Sequence, residues 1–288
     1  MLAAVLLVVA CGDDGDPGES VAPPLGTAPR SSSPGDGTAA PGGDGTAPGA
    51  PGTTATTSSS TGQPGPGAST TEAAPQWSGP PGSFAPALLR PEAGARLVVE
   101  VLSQAGAAPL QATVEHVFAV VRRESAKDVT VERREVPAGG ETSWTPQAIR
   151  SFADTWGLGP QSADTVRLRL LFLRGGAADD DTALGVAVRG DVAAVFTERV
   201  EDAGAVLGTA RIERAVAVHE TGHLLGLVDL FLRTGREDPD HPGHSRNEGS
   251  VMYWAVESTL VGQLLGGGPP TDFDAADRAD LARIRSGD

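Results

Sequence analysis

Between positions 96 and 200, segments whose apolar residues have the spacing of β-strands alternate with segments whose apolar residues have helical spacing. Strand-like runs predict β-strands at 96–102, 128–136, 165–173 and 192–200, and a shorter strand or hairpin arm at 185–188. Helical spacing predicts helices at 109–124 and 146–156, the second with Thr145 as its cap and Pro146 in its first turn.

Two further helices are predicted towards the C-terminus, at 209–227 and 272–285. Strands alternate with helices in the first half of this part of the chain, and two helices come after them. The pattern therefore predicts a mixed α/β sheet with helices packed against it. Residues 76–288, about 210 in number, are enough for a single domain with its own core.

The segment 12–75 has a composition that cannot form such a core. Of its 64 residues, 53 are Gly, Ala, Pro, Ser or Thr. Without large apolar side chains, nothing offsets the entropy cost of ordering the backbone, so we expect a disordered stalk.

The first eleven residues resemble a bacterial lipoprotein signal peptide. The apolar run 2–10 is too short to span a bilayer but fits a signal-peptide core, and it ends in Val-Val-Ala-Cys, with Cys11 as the only cysteine of the chain. The resemblance implies export and attachment of Cys11 to a bacterial membrane through lipid. The alternative is a chance cysteine after an apolar run, and no Lys or Arg precedes that run.

Charge restricts the choice of partners. The chain has a formal net charge of −15 and no basic run. This excludes nucleic acid and anionic lipid headgroups as favoured partners. We expect a monomer, although nothing in the sequence tests the oligomeric state.

The most informative motif is His219-Glu220-Thr-Gly-His223, on the helix predicted at 209–227. Histidines four residues apart project from the same face of a helix, where both can bind one Zn²⁺ ion. Glu220 is placed to act as general base on a water that zinc acidifies. The alternative interpretation is a pair of core histidines bonded to the backbone. Apolar residues surround the motif, however, and a buried set of this kind needs a partner such as a metal.

Gly226 and Asp229 extend the motif to HExxHxxGxxD, which resembles the metzincin zinc peptidases and especially snapalysin-like bacterial members. The resemblance implies a twisted mixed sheet, an active-site helix, a third metal ligand at Asp229 and a C-terminal helix. It also implies a Met-turn at Met252, with the methionine beneath the metal site. In this family an edge strand binds extended peptide, and we place that strand at 192–197.

Two features leave alternatives open. His241 and His244 lie shortly before Met252, and either could replace Asp229 as the third ligand, with His244 the better placed. In some metzincins a tyrosine two positions after the methionine binds the transition-state oxyanion. Tyr253 follows Met252 by one position, so the resemblance gives it that role only weakly.

These features together predict a zinc-dependent metalloendopeptidase that acts on peptides or proteins. The rival interpretation is a surface lipoprotein that keeps the fold as a binding module and hydrolyses nothing. The presence of Glu220 favours the enzyme, because a pure binder has no chemical need for a general base.

Overall fold

The structure is a computed structural model that describes residues 77–92, 96–261 and 267–288. These residues lie within one compact unit, Ala68–Asp288. The predicted signal peptide with Cys11 and the predicted stalk at 12–75 lie outside the described residues.

A five-stranded sheet forms the centre of the fold, in the order β2-β1-β4-β7-β6. Its strands are β1 (Arg96–Gln104), β2 (Asp128–Val136), β4 (Thr165–Leu173), β6 (Gly185–Arg189) and β7 (Val192–Phe196). The first four strands in spatial order run parallel, and β6 pairs antiparallel with β7 at one edge. The predicted mixed α/β sheet with helices is confirmed.

Six helices occur in the described part of the chain: α1 (Ala85–Leu89), α2 (Gln111–Glu124), α3 (Pro146–Trp156), α4 (Thr197–Leu207), α5 (Thr209–Leu224) and α6 (Ala275–Ser286). Thr145 caps α3 by accepting a hydrogen bond from the backbone N of Ala148, as its sequence predicts. Asp274 caps α6 in a reciprocal capping box with Asp277. None of the helices in the described ranges is long and apolar enough to cross a membrane.

The two faces of the sheet bury separate apolar clusters. Side chains alternate along each strand, so Leu168 and Leu170 face α2 and α5, whereas Leu171 and Leu173 face α3. This double coverage explains why the central strands read as nearly continuous apolar runs.

Two predictions about the segment 192–200 are wrong. The strand ends at Phe196, because Thr197 begins α4 without a break in the chain. Since β7 pairs with β4 on one side and β6 on the other, it is an interior strand, and the edge strand is β6. The apolar pattern continued through Val200 because that residue packs into the core from the first turn of the helix.

Several short elements were not predicted. They are α1, the two-stranded pair β3 (Ser143–Trp144) and β5 (Gly176–Ala177), and the hairpin of β8 (Glu237–Asp238) and β9 (His241–Ser245). Segments of two to five residues are too short for an apolar period to show.

A buried ion-pair network lies within the sheet. Glu100 on β1 is fully buried, and its Oε2 forms an ion pair with the Nη1 of Arg167 at 3.2 Å. Arg169 binds Asp191 at 2.7 Å. Charges buried in this way are paired with one another, so they need no ligand.

Candidate metal centre

Helix α5 carries the HExxH motif in the interior of the protein. His219 and Glu220 are completely buried and His223 is 7 % exposed. The helix packs against β6 and β7 on one side and against the 3₁₀ turn Trp254–Glu257 on the other. One helical turn therefore directs both imidazoles towards the segment that follows the predicted Met-turn.

Hydrogen bonding selects the tautomer of His219. Its Nδ1 lies 2.7 Å from the carbonyl oxygen of Val251, and because a carbonyl only accepts, Nδ1 carries the proton. The lone pair of Nε2 is then directed at the Nε2 of His223, 3.0 Å away. Two ligand nitrogens on one tetrahedral zinc ion lie about 3.3 Å apart, so this separation is close to that of a shared ion.

His244, on β9, brings a third imidazole to the same point. Its ring stacks on that of His219, with centroids 5.2 Å apart, and meets the ring of His223 edge-on at 5.0 Å. The carboxylate of Glu257 completes the group, and one ligand atom from each of the four side chains lies within 4.8 Å of the others. Three imidazoles and a carboxylate are a donor set suited to zinc.

Met252 lies directly beneath the helix, fully buried. A Cβ atom placed on Gly222 would come within 2.3 Å of the Met252 sulfur, so this contact requires a glycine between the two histidines. The turn is anchored through Ser250, whose hydroxyl accepts from the backbone N of Met252 at 3.0 Å and donates to Asp277 on α6 at 2.9 Å. The turn and α6 therefore position the floor of the histidine cluster.

Glu220 faces the cluster without a fixed partner. Among the described residues, neither of its carboxylate oxygens has a hydrogen-bond partner. Gly185 on β6 approaches so closely that an added Cβ would lie 2.5 Å from one of those oxygens. Burial, and next the negative charge of Glu257, raise the pKa of Glu220 well above its ordinary value.

The electrostatics of the other groups fit a bound cation. Burial and the two neighbouring imidazoles lower the pKa of His223 well below its ordinary value, which favours the neutral ring that a metal needs. Burial alone would raise the pKa of Glu257, but its interactions with His219 and His244 lower it well below the ordinary value. The buried carboxylate of Glu220 and the half-buried one of Glu257 call for positive charge, which a divalent ion would supply.

Asp229 does not join this cluster. Helix α5 ends at Leu224, and Gly226 takes a left-handed conformation, with φ of 85°, that turns the chain away. Asp229 then accepts hydrogen bonds from the backbone N and hydroxyl of Thr234, both at 2.6 Å, and from the backbone N of Gly235 at 3.2 Å. Its carboxylate closes the turn 229–235, and the structure brings His244 to the helix histidines instead.

The remaining candidates also lie outside the cluster. His241 bonds Asp238 at 2.8 Å and stacks on Trp254, with ring centroids 4.3 Å apart. Tyr253 is half-buried against the core, and its ring lies 5.8 Å from that of Trp254. The oxyanion role considered for Tyr253 stays a prediction.

A cleft of about 340 Å³ opens onto the cluster. Its walls include His244, Glu257, Trp254 and the loop around Asp180. A larger cavity of about 500 Å³ shares no lining residue with the cluster and is bordered by the paired Arg169 and Arg189. The smaller cleft therefore gives a ligand access to the His244 and Glu257 side of the cluster.

Sequence reasoning missed Glu257. No known motif contains it, and it lies 34 residues after His223 in a stretch without clear periodicity. A usable signal existed, since Glu257 follows Met252 by five residues and comes directly after the apolar run Trp254-Ala255-Val256.

No protein-family model matches this chain, and no curated protein sequence is significantly similar to it. Among solved structures it is similar to archaemetzincin from Methanopyrus kandleri, with 18 % identity, 66 % of this chain and 96 % of that chain covered, and a TM-score of 0.46. Archaemetzincin from Archaeoglobus fulgidus, complexed with malonate, has 19 % identity, 65 % and 99 % coverage and a TM-score of 0.38. Metalloproteinase-II from Bacteroides fragilis has 16 % identity, 67 % and 54 % coverage and a TM-score of 0.39. At these scores, what this chain does has to follow from its own residues.

Proposed function

We propose that this protein is a zinc-dependent metalloendopeptidase in which His219, His223 and His244 bind the ion. One observation carries the proposal. Two buried imidazoles from α5 and a half-buried third from β9 converge on one point beside a buried carboxylate, Glu220, that lacks a hydrogen-bond partner in the described chain. A helical pair of histidines bonded only to the backbone would not require the third ring or the carboxylate.

A zinc ion held by His219, His223 and His244 would lower the pKa of a water molecule and polarise the carbonyl of a peptide bond. Glu220 supplies the proton transfers. Its carboxylate accepts a proton from the attacking water and delivers it to the amine nitrogen as the C–N bond breaks. The raised pKa of Glu220 suits this role, because a more basic carboxylate takes a proton from water more readily.

An extended peptide has a strand edge to pair with. Strand β6 is the last strand of the sheet, and its outer edge is unpaired by any strand in the described ranges. Its first residue, Gly185, lies against Glu220. A peptide added alongside β6 by main-chain hydrogen bonds would therefore run past the general base.

The decisive experiment compares zinc content and peptide cleavage for the full chain and for Glu220→Gln. We expect one zinc per chain in both proteins, and cleavage of a quenched-fluorescence peptide library by the parent only. Loss of the base should reduce kcat by about 10²–10⁴-fold. Glu248→Gln, an exposed glutamate in the loop after β9, is the matched control and should cleave normally. Undiminished cleavage by Glu220→Gln would refute the base assignment.

A second function is favoured by a specific observation. Glu257 places a carboxylate among the three ring nitrogens, and four protein ligands are typical of zinc sites that hold structure rather than catalyse. In that case the protein is a metal-stabilised binding module. Stoichiometric zinc without cleavage of any library peptide would support this function over the peptidase.

We also propose, from the sequence of residues 1–11, that the protein is exported and anchored to a bacterial membrane through Cys11. The composition of 12–75 supports a flexible tether, with a random-coil reach of about 40–50 Å. The substrate would then be a peptide or protein met outside the cytoplasmic membrane.

A further inference from the structure

Glu257 lies at the end of the 3₁₀ turn Trp254–Glu257, directly after the Met-turn. Its Oε1 is 2.7 Å from the Nε2 of His244, and its Oε2 is 3.4 Å from the Nε2 of His219. The carboxylate therefore spans two of the three imidazoles that we propose as ligands.

These contacts have the geometry of ligands that share an ion. The Nε2 of His244 lies 2.7 Å from the Oε1 of Glu257, within ion-pair distance, but the two groups are not aligned as a directed hydrogen bond. A donor and an acceptor point at each other, whereas two ligand atoms point at a common centre between them. Neighbouring ligands of tetrahedral zinc lie about 3.3 Å apart, and the separations of 2.7, 3.0 and 3.4 Å lie on either side of that value.

Main-chain pairing holds the backbone of Glu257 in place. Its carbonyl accepts from the backbone N of Leu184 at 2.7 Å, and the backbone N of Thr259 donates to Thr182 at 2.9 Å. Ala183 and Ser258 form an antiparallel bridge between the same two segments. Because the backbone is tied to the chain leading into β6, only side-chain rotation can move the carboxylate.

Glu220 does not take this position. It belongs to the same helix as the histidines, yet its carboxylate is not a member of the group of ligand atoms within 4.8 Å of one another. The site thus contains two carboxylates in different places, a half-buried one among the ring nitrogens and a buried one beside them against Gly185.

We propose that Glu257 is a fourth protein ligand that closes the zinc shell of the resting protein, and that its carboxylate must rotate away before a substrate can bind the metal. This inference rests on the proposed function. Three protein ligands leave an open position for catalysis, whereas four close it. The cleft lined by Glu257 and His244 supplies the space into which the side chain can turn.

The test measures metal and ligand binding rather than cleavage. The full chain, Glu257→Ala, Glu257→Gln and the control Glu248→Gln are loaded with Zn²⁺ against a competing chromogenic chelator. They are then loaded with Co²⁺ and titrated with acetohydroxamate, followed by visible absorption. We expect both Glu257 variants to bind zinc at least tenfold more weakly, since even loss of an outer-shell partner costs about 10–100-fold. They should bind acetohydroxamate at least tenfold more tightly, because a position on the metal is free.

The inference is overturned if the two Glu257 variants bind acetohydroxamate no more tightly than the control does, whatever happens to zinc affinity. Failure of the proposed function has a different signature. In that case the parent chain and Glu248→Gln bind no zinc, or His219→Ala and His223→Ala bind it as tightly as the parent does.

Discussion

At the scale of single residues, the sequence left His244 and Asp229 as alternatives for the third metal ligand, and the structure places them in different surroundings. Only His244 reaches the nitrogens of the helix histidines. Asp229 accepts three hydrogen bonds within its own turn, with a backbone φ of 63° that aspartate tolerates better than most residues. Hydrogen bonds from Thr234 and Gly235 lower the pKa of Asp229 in spite of its partial burial, so it is ionised where it lies.

Replacing these two residues separately should therefore give opposite results. His244→Ala should weaken zinc binding by more than the 10–100-fold typical of an outer-shell partner, because a ligand is lost. Asp229→Ala should keep zinc but lose about 1–2 kcal/mol of stability with the turn hydrogen bonds. Zinc competition and urea unfolding measure the two effects. A zinc loss confined to Asp229→Ala would reverse the assignment.

Gly185 permits a second test at this scale. An alanine there would place its Cβ 2.5 Å from a Glu220 oxygen and 2.8 Å from Val216. Since both neighbours are buried, the Glu220 carboxylate has to shift, and a displacement of about 1 Å in a catalytic group can cost 100-fold in rate. We expect Gly185→Ala to retain zinc and lose most of its kcat, with Ala187→Gly on the same strand as the control. Equal loss in both variants would indicate a damaged strand rather than a displaced base.

At the scale of elements, α5 organises its surroundings as well as the histidine cluster. Glu213, on its second turn, accepts a hydrogen bond of 2.9 Å from the backbone N of Leu110 at the start of α2. The helix packs against α2 and α4, and its last turn rests on the side chain of Met252. A helix with this many contacts is apolar almost all round, which is why its amphipathic pattern is weak.

Glu213 gives this region a dependence on pH. Burial raises the pKa of Glu213 above its ordinary value, against the lowering effect of hydrogen bonds from Thr113 and Leu110. The native state therefore holds the proton more tightly than the unfolded chain does. The associated stabilisation is complete below the unfolded-state pKa and is lost as pH rises through the native one.

Glu213→Gln should remove this contribution. The free energy of unfolding of the parent, relative to the variant, should fall as pH is raised from acid towards neutrality, measured by urea denaturation at a series of pH values. Glu141→Gln, an exposed glutamate before β3, should show no such trend. A relative stability that rises with pH would contradict the sign of the shift.

At the scale of the whole molecule, one prediction concerns the N-terminal quarter of the chain. If Cys11 carries lipid, the full chain expressed in a bacterial host should partition into a detergent phase, and Cys11→Ala should partition into water. Ser32→Ala, within the Ser-rich part of 12–75, serves as the control and should behave as the parent does. Detergent partitioning of Cys11→Ala would show that the anchor lies elsewhere.

Long periodic helices and strands could be predicted from the sequence, whereas the pairing of the strands within the sheet could not. The bounds of β2 and β4 and the capped start of α3 agree with prediction because strand alternation and the Thr-Pro signal are local. The sequence predicted β7 as the edge strand, but β6 occupies the edge. Strand order depends on pairing between segments far apart in the chain, which a local pattern does not show.

Helical spacing alone places two histidines on one face of a helix with a carboxylate beside them, so this part of the site follows from the order of the residues. The distant side chains that complete the cluster are brought to it by the fold. His244 arrives from the β8–β9 hairpin and Glu257 from the turn after Met252, both positioned by packing and pairing between segments far apart in the chain. The positions of these two side chains beside the helix histidines depend on the whole fold, so no local sequence pattern encodes them.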